Sequence, residues 1–128
     1  MEFLGIHHVA IIATDYDRSK RFYTETLGGT VLAENHRADR DSWKLDVGLP
    51  GGCRIELFSF PDPPARPSRP EAAGLRHLAF VVADVPAALT ALRERGVRTE
   101  ELRTDEYTGK HMAFFFDPDD LPLELYEA

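Results

Sequence analysis

The stretch His8-Val9-Ala10-Ile11-Ile12-Ala13-Thr14-Asp15 occurs twice in the chain, the second time as His77-Leu78-Ala79-Phe80-Val81-Val82-Ala83-Asp84. Histidine, alanine and aspartate coincide at matching places, and most of the other pairs exchange one apolar residue for another. The offset is 69 residues, and a second echo, Ile55-Glu56-Leu57-Phe58 against Leu123-Glu124-Leu125-Tyr126, lies at an offset of 68. Two matches at nearly one offset make the chain two copies of one unit.

Working outward from the repeat, each copy predicts the same order of elements. In the first, the apolar run Ile6 to Ala13 reads as a buried strand. Asp15 then caps a helix from about Tyr16 to Leu27, closed by Gly28-Gly29. Strands follow near Thr30–Glu34, Trp43–Leu49 and Cys53–Phe60. In the second, Leu75–Ala83 is the strand and Asp84 the cap. The helix Val85–Arg95 carries Val85, Ala88, Leu89 and Leu92 on one face and stops at Gly96. Strands near Val97–Leu102, Met112–Phe116 and Leu121–Tyr126 complete the copy. The predicted fold class is α+β: two βαβββ modules, 5–60 and 73–128, forming a curved mixed sheet cup around a metal site. Between them lies a Pro-rich linker, 61–72. Five of the nine prolines fall between Pro61 and Pro70, so this stretch is expected to be stiff and extended.

Composition narrows the function classes. At 128 residues with 43% hydrophobic and 29% charged side chains, the balance is that of an ordinary globular chain. A formal net charge of -7 argues against a nucleic-acid partner, since phosphate binding needs clustered Lys and Arg. No apolar run approaches the roughly 20 residues that span a membrane, and Met1-Glu2-Phe3-Leu4-Gly5 lacks the regions of a signal peptide. The single cysteine, Cys53, excludes an intrachain disulfide and suits the cytoplasm.

The repeat also pairs chemistry. Side chains alternate faces along a strand, so Glu56 and Glu124 stand opposite the Ile/Leu face that each helix covers. His8 and His77 each have a small residue two places on, Ala10 and Ala79, which leaves room beside the ring. One histidine or one glutamate in such a strand is ordinarily a hydrogen-bonded or solvated residue. The duplication changes that balance. Each copy supplies one His near its start and one Glu near its end, 48 and 47 residues apart. Four such groups in one apolar cup need a cation, because unpaired buried carboxylates are costly. The expected ligand set is therefore His8, Glu56, His77 and Glu124. Two imidazoles and two carboxylates without a thiolate suit one divalent ion among Ni, Zn, Co, Mn and Fe(II), with two positions left open on an octahedral ion.

At these residues the sequence resembles the vicinal oxygen chelate superfamily, which includes glyoxalase I, bleomycin resistance proteins and dioxygenases. The matching motifs are His7-His8-Val9-Ala10-Ile11, Arg54-Ile55-Glu56-Leu57, Arg76-His77-Leu78-Ala79-Phe80, and Asp117-Pro118-Asp119 through Leu123-Glu124-Leu125. The chain looks most like a short bacterial branch that also carries Arg40-Asp41-Ser42-Trp43-Lys44 and Pro67-Ser68-Arg69-Pro70-Glu71. The resemblance covers almost the whole chain, making 1–128 a single domain of that superfamily. It implies a metal-dependent glyoxalase I-like lyase or isomerase, comparable to lactoylglutathione lyase. Such an enzyme acts on a small vicinal-oxygen substrate through a metal-stabilised enediolate, with Glu124 or Glu56 as the base. It also implies two units that pair either within one chain or between the chains of a dimer; a homodimer is expected, with His8 and Glu56 from one chain facing His77 and Glu124 from the other. Departures touch the thiol: Ile12 and Phe60 stand where glutathione-using relatives often carry a basic residue and Asn. Asp120 replaces a Gly of the final turn.

Alternatives within the resemblance are an Fe(II) ring-cleaving dioxygenase, against which the fourth ligand Glu56 counts, thiol transfer or epimerisation on the same metal, and a non-enzymatic small-molecule binding module. Among other residues, alternation points His7 to the opposite face from His8, while His36 and His111 fit solvent positions. Arg37, Arg40, Trp43 and Lys44 read either as a lid over an anionic substrate or as a solvated hairpin. Arg66, Arg69, Tyr107 and Lys110 have the same two readings.

Overall fold

The computed structural model describes residues 1–128, and they divide into two compact units, Met1–Ala65 and Arg66–Ala128. The boundary falls inside the Pro-rich stretch. In the first unit, β1 (Val9–Ala13) leads to a short helix α1 (Tyr16–Arg21) that continues as a wider turn over Phe22–Thr26. Then come β2 (Thr30–Arg37), β3 (Ser42–Gly48) and β4 (Arg54–Ser59). The second unit repeats the order with β5 (Leu78–Val82), α2 (Val85–Glu94), β6 (Arg103–Thr104), β7 (His111–Phe116) and β8 (Pro122–Glu127). Each unit is βαβββ, as the repeat predicts.

The sheets have matching topology, β1-β4-β3-β2 and β5-β8-β7-β6. In each, the first strand lies parallel to the last and the remaining pairs are antiparallel. The parallel pairing needs a crossover, which the helix provides. Both helices start at the expected caps: Arg18 N–H donates to Asp15 Oδ1 at 3.2 Å, and Ala87 N–H to Asp84 Oδ1 at 2.9 Å. Both end at a glycine with positive φ, Gly28 at 76° and Gly96 at 75°. Gly29 is required for a different reason. A Cβ there would lie 2.4 Å from Val47 Cγ1 and 2.7 Å from the Tyr23 carbonyl.

One face of each sheet is buried under its own helix. In the first unit the buried apolar residues are Ile11, Leu45, Val47, Ile55 and Leu57 of the sheet with Phe22 and Tyr23 of the helical segment, and in the second Ala113, Phe115, Leu123 and Leu125 with Val85, Leu89 and Leu92 of α2, which packs on β7 and β8. Each fully buried aliphatic side chain stabilises its unit by about 1.5–3 kcal/mol before entropy is counted. The helices therefore fix which face of each sheet stays open, and Glu56 and Glu124 are on it.

Several boundaries differ from the sequence reading, and β2 runs to Arg37, three residues past the expected Glu34. The first strands begin at Val9 and Leu78, three residues later than expected, and Ile6 and Leu75 are exposed. Residues 97–102 do not make a regular strand. Phe116 N–H donates to the Arg98 carbonyl and Glu100 N–H to the Phe114 carbonyl, with one bridge between Thr99 and Phe115. The ladder then breaks and resumes only at Arg103–Thr104. No helix is long and apolar enough to cross a membrane.

Candidate metal centre

In the first unit, β1 and β4 run parallel with Ala10 beside Glu56. The small Ala10 side chain leaves the space that the His8 ring uses, just before the strand starts. His8 Nε2 lies 3.3 Å from Glu56 Oε2. The second unit repeats the arrangement with Ala79 beside Glu124, and His77 Nε2 lies 2.8 Å from Glu124 Oε2. Both carboxylates are in the buried class, while their histidines stay about a third exposed. The structure thus brings each predicted His to its predicted Glu within its own unit. No group of three or more His, Cys, Asp or Glu side chains is gathered in the chain.

The donor spacing can be tested against a metal. Two ligands each about 2.1 Å from one ion stand about 3.0 Å apart at a right angle and about 3.4 Å apart at a tetrahedral angle. The observed 3.3 and 2.8 Å match, to within a few tenths of an ångström, two ligands bound side by side. Each pair, one imidazole and one carboxylate, is a donor set of the kind a divalent ion accepts.

The second nitrogen of each ring also has a close neighbour. Arg76 Nη1 is 3.1 Å from His77 Nδ1. His8 Nδ1 meets His7 Nδ1 at 2.9 Å, with the rings edge to face. His7 was expected on the opposite face, but alternation does not govern residues that precede the strand. His77 also packs edge-on against Phe114 at 5.1 Å, and Phe114 is paired with Glu124 across β7 and β8.

One neighbour was not read from the sequence as part of this site. Lys44 Nζ lies 3.4 Å from Glu56 Oε1 and 3.3 Å from Asp46 Oδ1. Its hydrogen bond to Asp46, outweighing some desolvation, holds the ammonium above its ordinary range. The register that puts Asp46 opposite Glu56 carries this signal, because Lys44 is then a diagonal neighbour on the same face. The other lid residues separate. Arg37 donates to Ser42 Oγ and lies over Phe58 at 5.0 Å, Trp43 stacks on Tyr16 at 5.7 Å, and only Arg40 sits in the tight turn. Of the second group, Arg66 and Arg69 line a cleft of the second unit, whereas Tyr107 is fully open to solvent. His36 faces Asp41 and Trp43, and His111 faces Glu127.

Comparisons with known proteins agree with this architecture. The sequence profile described as the Glyoxalase/Bleomycin resistance protein/Dioxygenase superfamily matches residues 5–125. Protein YwkD of Bacillus subtilis (strain 168) is 60% identical over 96% of both chains. A 2-epi-5-epi-valiolone epimerase from Actinomyces sp is 32% identical over 95% of this chain and 78% of its own length. The crystal structure of a glyoxalase family protein from Enterococcus faecalis superimposes with a TM-score of 0.92. It shares 54% identity and covers 99% of this chain and 100% of its own.

Proposed function

We propose that this chain, which belongs to the Glyoxalase/Bleomycin resistance protein/Dioxygenase superfamily, is a metal-dependent lyase or isomerase. Its substrate would be a small molecule with adjacent oxygens, and the reaction would move a proton at the carbon next to a carbonyl. The observation that carries this reading is the duplicated His–Glu pair, His8 with Glu56 and His77 with Glu124, at spacings that suit two ligands of one ion. These four residues would hold one divalent ion, Ni, Zn, Co, Mn or Fe(II). When bound, the ion supplies Lewis-acid polarisation of the substrate's oxygens.

The chain's own groups divide the remaining work. Lys44 holds one oxygen of Glu56, whereas neither lysine nor arginine touches Glu124, so Glu124 is the freer proton acceptor and is assigned as the base. Glu56 then serves mainly to hold the ion. The named epimerase supports this class of chemistry, because epimerisation and glyoxalase-type isomerisation both remove and return a proton on carbon. The complete ligand set is assigned to a homodimer in which the first unit of one copy meets the second unit of the other.

The test is turnover in deuterated water. Metal-loaded protein is offered a panel of 2-oxoaldehydes with several thiols, and products are read by mass spectrometry and NMR. The reading expects product carrying solvent deuterium at the carbon beside the carbonyl. It also expects Glu124→Gln to lower kcat/KM by about 10²-fold or more, the usual share of a general base. Stoichiometric binding of the same compounds without turnover would contradict it and leave a binding module.

A further inference from the structure

The second unit contains a cleft of about 350 Å³ whose character is opposite to that of the whole chain. The chain carries a formal charge of -7, yet five arginines and three carboxylates line this cleft, an excess of two positive charges. Two of the carboxylates are already engaged: Asp120 with Arg98, and Glu100 with Arg103 at 3.0 Å. What remains is Arg66, Arg69 and Arg76 against Glu71.

Those three guanidiniums are only partly satisfied. Arg66 donates through Nη2 to the Leu75 carbonyl at 2.8 Å, while its Nε is buried without a partner. Arg69 is exposed and pairs with no carboxylate. Arg76 reaches His77 through one nitrogen and lies over the Phe114 ring at 5.6 Å. Phe114 and Phe116, at alternate positions of β7, form the floor of the cleft. Since Phe114 also packs on His77 and is paired with Glu124, the floor runs up to the candidate metal ligands of this unit.

Planar guanidinium forks match the paired oxygens of a carboxylate or phosphate. We infer that the Arg66, Arg69 and Arg76 cleft binds an oxyanion of the substrate, carboxylate or phosphate, at the end away from the reacting carbon. The inference rests on the proposed function for the identity of its ligand as substrate. It makes that substrate a small anionic metabolite rather than a neutral sugar or aldehyde. Arg76 occupies the junction, because it touches both the anion cleft and His77.

The experiment uses metal-free protein titrated calorimetrically with inorganic phosphate and, separately, with succinate. An Arg69→Gln, Arg76→Gln double variant and Arg69→Gln alone are compared with Arg18→Gln, which makes the same charge change in the other unit. Thermal unfolding checks that each variant folds. Expected is binding of at least one anion, with Kd raised about tenfold or more in the double variant, several-fold in Arg69→Gln, and unchanged in Arg18→Gln. Tighter phosphate assigns a phosphate ester, and tighter succinate a carboxylate. No binding by the native protein, or equal weakening in Arg18→Gln, would overturn the inference. Metal content is measured in parallel. Anion binding without any metal uptake would retain the cleft and reject the proposed function, whereas metal uptake without anion binding would do the reverse.

Discussion

Lys44 is the residue that most changes the expected chemistry, because it places a positive charge where the ligand reading had only carboxylate and imidazole. Its bond to Asp46 keeps it protonated, so the charge beside Glu56 persists across neutral and mildly alkaline pH. Replacing it, Lys44→Met, frees Glu56 Oε1 and removes a competitor for the cation. Metal affinity, measured by chelator competition, should rise about two- to fivefold, since a half-exposed charge pair contributes about 0.2–1 kcal/mol. A second residue cluster sets a pH window. The Tyr16 phenol is held above its ordinary value of 10.0 by burial first and then by its bond to Glu34. Glu34 is held below 4.5, first by hydrogen bonding from Lys20 and then by that from Tyr16. A raised phenol stabilises fully below its unfolded value and loses that contribution as pH rises through the folded one. A depressed carboxyl stabilises above its unfolded value and loses that contribution as pH falls through the folded one. Tyr16→Phe should therefore lower the urea midpoint near pH 7 and do so less near pH 3. At this scale the pairing of His8 with Glu56 and of His77 with Glu124 was legible because the repeat marks each twice. Lys44 and Arg76 were not, since neither recurs at the matching offset and their roles depend on register and on where a strand begins.

At the scale of elements, the caps and glycines carry the most direct predictions. Asp84→Ala removes the acceptor for Ala87 N–H and should cost about 1 kcal/mol, read as a lower urea midpoint. Gly29→Ala should cost more, about 1–3 kcal/mol, because its Cβ meets the Tyr23 backbone and buried Val47 and one of them must shift. Caps were readable because an aspartate before an apolar helical pattern has few other meanings. Strand starts were not. Phe3, Leu4 and Ile6 are apolar yet exposed, and hydrophobicity alone cannot tell a paired strand from an apolar segment before it. Pairing stops where the partner strand stops, with Val9 beside Ile55 at the start of β4. Likewise the alternating pattern of residues 97–102 could not reveal that only part of the stretch bonds to β7. Asp120, which departs from the superfamily's usual glycine, adopts φ 66° and is held there by Arg98 and by the turn that Asp117 builds.

At the scale of the molecule, the chain holds two units of one design, each with its own core and its own His–Glu pair. The proposed homodimer predicts a specific complementation. Mixing Glu56→Ala chains with Glu124→Ala chains should restore one intact site per heterodimer and leave the other doubly broken. If both pairs of a site came from one chain, mixing would restore none. The duplication itself was legible because two copies in one chain let the sequence be compared with itself. The arginine cleft was not, since its lining comes from the Pro-rich stretch, residues 98–103 and β7, which only folding gathers. The central claim is that the two pairs act as one site for one ion, and elemental analysis of purified protein tests it most directly. Native protein should carry about one divalent metal per chain, and Glu56→Ala or Glu124→Ala alone should each lose nearly all of it. No metal after loading with Ni, Zn, Mn or Fe(II), or a loss of only half in each single variant, would contradict the account.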